Sequence, residues 1–160
     1  MYLDVPCPVL SVDRYRSEHI DLWQKLSYNG AITAHGFDRC QVIAEPGRFF
    51  VEHAIELKTK VVGVKPGSVT IDDSLYGAFN CVVMDHATPV PLKESIGAYK
   101  KFTVFGCTCD GADTIGDVDL PENIWVGDVL TWPRMGAYTL AATTNFNGLP
   151  FNSREIKYVW

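Results

Sequence analysis

The stretch Ile55-Glu56-Leu57-Lys58-Thr59-Lys60-Val61 decides how this chain is read. Glu56, Lys58 and Lys60 alternate with Ile55, Leu57, Thr59 and Val61, the two-residue period of a strand with one wet face and one buried face. The same texture recurs toward the C-terminus at Ser68 to Ile71, Ala78 to Met84, Lys101 to Phe105, Asp128 to Trp132 and Glu155 to Val159. Between these runs stand Lys65-Pro66-Gly67, Pro89 to Pro91 and Gly111 to Gly116, residues that suit turns and loops. Residues 55–160 are therefore expected to form an antiparallel β-sandwich or barrel. Met135 to Asn145, where Gly136 and Ala137 precede Leu140, Ala141 and Ala142, reads as either a short helix or a bend.

Toward the N-terminus the texture changes. Met1 to Val5 reads as a short buried strand, and Pro6 and Pro8 then stop regular pairing. From Asp13 to Tyr28 the apolar residues Tyr15, Leu22, Trp23 and Leu26 fall on one side of a helix, with Ser11 or Asp13 as N-cap and Asn29-Gly30 as the stop. Cys40 to Ala44 is a second short strand, ended by Pro46-Gly47. Strand, helix, strand is a βαβ unit. The expected fold class is α+β, with a βαβ piece over residues 1–54 followed by a β-domain over 55–160. A closed (β/α)8 barrel takes about 200 residues or more, so these 160 residues cannot hold one.

A composition of 47% hydrophobic and 21% charged residues supplies one ordinary globular core. Asp and Glu number 19 against 14 Lys and Arg, a formal charge of -5. That balance opposes the attraction to phosphate backbones on which nucleic-acid binders depend, so nucleic acid is not expected as a partner. No apolar run approaches the roughly 20 residues that cross a bilayer, and Met1 to Leu10 lacks a basic segment followed by a long apolar one. The expectation is a chain neither secreted nor membrane-spanning. Cys7, Cys40, Cys81, Cys107 and Cys109 make an odd set without framework spacing, which fits reduced thiols and a cytoplasmic location.

Generic catalytic motifs are missing: there is no G-x-S-x-G elbow, no Walker loop and no H-E-x-x-H. Cys107-x-Cys109 has no second ligand pair at zinc spacing, so no metal is expected. Asp85-His86 could be a base and its orienting partner, although such a pair at a strand end is more often a turn cap or a surface pair. Glu45-Pro46-Gly47-Arg48 stands where a buried strand ends, the usual ligand position in α/β architecture. Its carboxylate, Pro-Gly reversal and guanidinium could hold a phosphorylated, nitrogen-containing ring, or could form a plain turn with a surface ion pair. Cys109-Asp110-Gly111-Ala112-Asp113 offers a thiol beside two carboxylates, which suits a proton donor next to a cation-binding acid or a plain loop.

In order, the segments Glu45-Pro46-Gly47-Arg48, Tyr76 to Cys81 continuing to Asp85-His86-Ala87, Thr108 to Asp113, and Met135 to Thr139 with Phe146-Asn147-Gly148 resemble the C-terminal part of the pyridoxal-phosphate-dependent decarboxylases of the ornithine type. These enzymes pair an alanine-racemase-like barrel with a β-domain. The resemblance implies that residues 1–54 are the last βαβ portion of that barrel. It implies a carboxy-lyase that converts ornithine to putrescine in polyamine biosynthesis. Glu45 would pair with the pyridine nitrogen of pyridoxal 5'-phosphate (PLP), Gly47 and Arg48 would hold its phosphate, and Tyr138 would add a hydroxyl contact. Asp85 and Asp110 would bind the distal ammonium of a diamino acid, Tyr76 and Phe146 would line the pocket, and Cys109 would return a proton to the carbon that has lost carbon dioxide. Cys-Asp matches the ornithine type, whereas related diaminopimelate enzymes carry Cys-Glu there. The family's homodimers share the site, with the Cys-Asp loop reaching into the neighbouring subunit.

The chain departs from that pattern at three places. The Schiff-base lysine of the barrel's first strand has no counterpart among Lys25, Lys58, Lys60, Lys65, Lys93, Lys100, Lys101 and Lys157. Pro6-Cys7-Pro8 stands where a glycine-rich phosphate loop is expected, and prolines remove backbone donors. Cys107 replaces a usual proline. Two expectations follow. Either the chain is a truncated C-terminal part or split subunit, active only with a lysine-bearing barrel partner, or it is an inactive paralogue that binds and modulates a full-length decarboxylase.

Overall fold

The computed structural model describes residues 47–93, 96–150 and Lys157. The expected βαβ unit over residues 1–54 lies outside them save for its last residues, as do Glu45 and all but Lys157 of the strand expected at Glu155 to Val159. By internal contacts the chain divides into Met1–Phe50 and Val51–Trp160. The described part of the first unit is the start of a short helix, α1 (Gly47–Val51), in which Phe49 packs edge-on against Phe50 at 5.1 Å.

The second unit is built on a five-stranded sheet. Its strands are β1 (Leu57–Lys65), β2 (Ser68–Ile71), β3 (Tyr99–Phe105), β4 (Thr114–Pro121) and β5 (Val129–Trp132), in the order β4-β3-β2-β1-β5. β1 and β2 form a hairpin closed at Lys65↔Ser68. The connecting Pro66-Gly67 carries φ +79° at the glycine, the residue pair and backbone sign a type II turn requires. The alternation that marked β1 holds in its first half, where Thr59 and Val61 are buried between exposed Lys58, Lys60 and Val62. A register shift between Val61 and Gly63 then breaks the period.

The expectation of a purely antiparallel sheet is corrected by one ladder. β2 and β3 run parallel, with Ser68, Val69 and Thr70 opposite Thr103, Val104 and Phe105. A parallel neighbour needs a crossover rather than a tight turn, and residues 72–98 supply it. This crossover also corrects the strand expected at Ala78 to Met84, which is a run of turns ending in a helix, α2 (Asn80–Met84). Ser74 Oγ accepts N–H groups from Tyr76 at 3.2 Å and Gly77 at 3.0 Å, and Asp73 Oδ1 accepts those of Ser74 and Ala78. Side-chain oxygens that satisfy successive backbone donors favour turns and helix starts over a ladder. The four-residue apolar run Cys81-Val82-Val83-Met84 cannot by its period tell strand from helix.

A second correction concerns Gly111 to Gly116. The loop ends at Asp113, and Thr114 already begins β4, whose Ile115, Val118 and Leu120 face the core. Gly116 stands opposite Val104 beside a register irregularity, a position that glycine often marks within a strand. Met135 to Asn145 resolves into turns and bends, followed by a 3-10 turn at Phe146–Gly148.

The core gathers Val61, Val69, Ile71, Phe79, Val104, Leu120 and Trp132, each 0–1% exposed. Phe79 from the crossover meets Trp132 edge-to-face at 4.9 Å, and the indole N–H of Trp132 donates to Thr59 Oγ1 at 2.8 Å. This aromatic pair locks the crossover onto the sheet. Among the described residues no helix is long and apolar enough to cross a membrane.

Candidate functional site

Because β2 and β3 are parallel, the chain leaves both strands at the same end of the sheet, the carboxyl end at which parallel architectures place their ligands. Residues 72–79 follow β2 and residues 106–113 follow β3, so the two loops stand side by side. Asp113 joins them. Although only 1% exposed, its carboxylate accepts Leu75 N–H on Oδ1 at 2.8 Å. On Oδ2 it takes Thr108 N–H at 3.1 Å and the Thr108 hydroxyl at 2.6 Å. Cys107 N–H donates to Asp73 O at 3.0 Å, a second bridge between the loops. A side-chain carbon at Gly106 would lie 2.2 Å from the Asp113 carboxylate, so only glycine fits there.

A third segment closes on the first. Thr144 N–H donates to Tyr76 O at 2.8 Å, and buried Asn80 donates to both Gly77 O and Thr139 O. This brings Phe146 onto Tyr76, the rings stacked at 4.0 Å with 24° between their planes. The Tyr76 hydroxyl in turn donates to Asp110 Oδ2, while Asp110 Oδ1 accepts Ala112 N–H at 2.9 Å. Asn147 reaches Cys109: its Oδ1 accepts Cys109 N–H at 3.2 Å, and its Nδ2 lies 3.3 Å from Sγ.

Four candidate residues, Tyr76, Cys109, Asp110 and Phe146, thus form one cluster on the outer face of the domain. Cys109 and Phe146 are exposed, which leaves the thiol open to an incoming group. The hydrogen bond from Tyr76 holds the Asp110 carboxyl below its ordinary range, and the same bond, with desolvation and the nearby carboxylates, pushes the Tyr76 phenol up. Asp110 is therefore poised as an anion, the form that attracts an ammonium. Burial, then the charge of Asp113, raises the Cys107 thiol, which keeps it protonated.

The remaining candidates stand on other segments of the chain. Asp85 is an exposed residue at the C-terminal end of α2, its N–H donating to Cys81 O at 3.0 Å. Tyr138 is 41% exposed in the segment after β5. Gly47 and Arg48 open α1 in the first unit. The guanidinium of Arg48 and the hydroxyl of Tyr138 are the donor chemistry a phosphate takes. Sequence reading gave Asp113 no role beyond its loop and gave Asn147 none. Asn147 could have been singled out, since Asn-Gly is a strong signal for left-handed backbone, and Asn147 and Gly148 have φ of +58° and +68°. The bridging role of Asp113 had no local signal, because Leu75, the partner on the other loop, lies 38 residues away.

Residues 12–136 match the family model described as pyridoxal-dependent decarboxylase, C-terminal sheet domain, and the chain belongs to that family. It is 48% identical over 131 residues to a chloroplastic ornithine decarboxylase of Nicotiana glutinosa, covering 72% of this chain and 30% of that protein. It is 42% identical over 139 residues to antizyme inhibitor 2 of Xenopus laevis, covering 74% of this chain and 30% of that one. Among solved structures it is similar to the Paramecium bursaria Chlorella virus arginine decarboxylase bound to agmatine. There the TM-score is 0.60 at 40% identity, over 75% of this chain and 35% of the other. The chain spans about 30% of the length of the curated relatives it matches.

Proposed function

We propose that the chain is the C-terminal part of a PLP-dependent decarboxylase of the ornithine type, which works with a barrel that carries the Schiff-base lysine. Residues 1–54 are read as the closing βαβ portion of that barrel and 55–160 as the β-domain. The single observation that carries the reading is the Tyr76, Asp110, Cys109 and Phe146 cluster, an anionic carboxylate beside an exposed thiol on a stacked aromatic floor. Asp110, with Asp85, takes the distal ammonium of ornithine, and Tyr76 and Phe146 exclude water from its methylene chain. Cys109 holds the proton that replaces the lost carboxyl group. Gly47, Arg48 and Tyr138 would hold the cofactor phosphate, and Glu45 would pair with the ring nitrogen. Bound PLP supplies an electron sink for the carbon–carbon cleavage. The cluster is exposed because a neighbouring subunit of a homodimer, or a barrel-bearing chain, completes the site over it. The odd set of five cysteines without framework spacing suits a reducing, cytoplasmic compartment.

The similarity to antizyme inhibitor 2 favours a second reading, an inactive paralogue that binds a full-length decarboxylase. Co-expression with a lysine-bearing barrel from a family member separates the two. Release of carbon dioxide from ornithine, lysine or arginine supports the enzyme. Stable association without turnover supports the binding module, and neither association nor turnover overturns both.

A further inference from the structure

One side chain holds Cys109 at three points. Asn147 Oδ1 accepts the Cys109 backbone N–H at 3.2 Å, Cys109 Sγ lies 3.5 Å from the same oxygen, and Asn147 Nδ2 lies 3.3 Å from Sγ. The backbone N–H identifies the oxygen end of the amide, since two donors cannot face each other. The sulfur therefore has both a carbonyl acceptor and an amide donor within reach. A thiol can give its S–H to the first, and a thiolate, which only accepts, can take N–H from the second. Asn147 sits at φ +58°, a left-handed backbone that Asn and Gly tolerate far better than branched residues do.

We propose that Asn147 is a positioning residue that serves Cys109 in both protonation states. Oδ1 orients the S–H before transfer. When the S–H bond breaks, the proton passes to the substrate carbon, the electron pair stays on sulfur, and Nδ2–H stabilises the resulting thiolate. The inference deepens the proposed function and rests on Cys109 being the proton donor.

The test measures alkylation of each cysteine by iodoacetamide in the full chain at one pH, about 8, resolved by mass spectrometry. Alkylation proceeds through the thiolate. Asn147→Gly keeps the left-handed backbone and removes the amide, and should slow Cys109 alkylation about three- to tenfold, the effect of one lost hydrogen bond to an exposed anion. Asn147→Asp keeps the acceptor but replaces the donor with a negative charge, and should slow it further. A role confined to loop packing predicts faster alkylation with Gly, where the thiol is uncovered, and with Asp only the slowing of an added charge, which high salt abolishes. Either of those results overturns the proposal. Buried Cys81 reports folding in the same experiment; if it becomes reactive in the Gly variant, the comparison of Asn147→Asp with wild type decides. Turnover of a Cys109→Ala complex with the barrel tests the proton-donor reading separately, so failure of that reading and failure of the Asn147 link remain distinguishable.

Discussion

Tyr76 and Asp110, on loops that follow two different strands, share one proton: the phenol donates it to Oδ2 of the carboxylate. One bond thereby moves two groups apart, the acid downward and the phenol upward. Tyr76→Phe should return the Asp110 midpoint toward the ordinary carboxylate range, and Asp110→Asn should return the Tyr76 midpoint toward an ordinary phenol. Site-resolved NMR titration checks both. The stabilisation from the lowered acid is present above the unfolded carboxylate range and fades as pH falls through the folded value. That from the raised phenol is present below the unfolded phenol range and fades as pH climbs through its folded value. Unchanged midpoints in both variants would mean that the bond does not persist in solution.

Asp113 should matter for stability more than its loop position suggests. Asp113→Ala leaves the Leu75 and Thr108 N–H groups without their acceptor and should cost about 2–4 kcal/mol in urea unfolding. Asp113→Asn, which presents a donor to those donors, should cost about 1–2 kcal/mol. Gly106→Ala forces a methyl into the same carboxylate and should destabilise comparably, whereas Gly111→Ala, with nothing within 4 Å of its added carbon, should be close to neutral. Equal unfolding midpoints for Gly106→Ala and Gly111→Ala would contradict the packing described.

In a complex reconstituted with a lysine-bearing barrel, Cys109→Ala should reduce diamine formation by about 10²-fold or more, the lower end of what a positioned acid contributes. Cofactor affinity should stay within about twofold, because the residues proposed to hold the phosphate, Arg48 and Tyr138, are untouched. Asp110→Ala should instead raise KM, as it removes the proposed ammonium partner. Full turnover in the Cys109 variant, or loss of cofactor in place of rate, would return residues 107–113 to the status of an ordinary loop.

The chain incubated alone with PLP should show no near-stoichiometric borohydride-reducible adduct at any single lysine, since none of its lysines lies in the family's Schiff-base motif. Peptide mapping after reduction reads this directly, and one dominant modified lysine would sink the expectation.

Where local pattern and tertiary structure agreed, the sequence was legible. Lys58 and Lys60 against Thr59 and Val61 announced β1, and Pro66-Gly67 announced its hairpin, because both signals are carried by adjacent residues. The helical crossover was not, because Cys81-Val82-Val83-Met84 reads as a strand until Asp73 and Ser74 are seen to claim the backbone donors ahead of it. The start of β4 was obscured by Gly116. At the site, Cys109 and Asp110 stood out by chemistry and Tyr76 and Phe146 by motif. Their stacking and the bridging role of Asp113 depend on residues about 38 to 70 positions apart in sequence, a separation that no local period encodes.

The parallel pairing of β2 with β3 also has a kinetic meaning. The β1–β2 hairpin closes over two residues, whereas Ser68 meets Thr103 only after the entire crossover has been looped out, so the entropy of closure falls on the contact that creates the cluster. We expect the hairpin to gain protection first and the Tyr76 and Cys109 loops last. In pulse-labelled hydrogen exchange, the amides of β1 and β2 should be protected before those of Leu75, Cys107 and Thr108. The reverse order would refute this sequence of events. A chain caught midway on this path would present a formed hairpin without the Tyr76 and Asp110 contact, so slow folding would be felt at the cluster well before it was felt as missing protein.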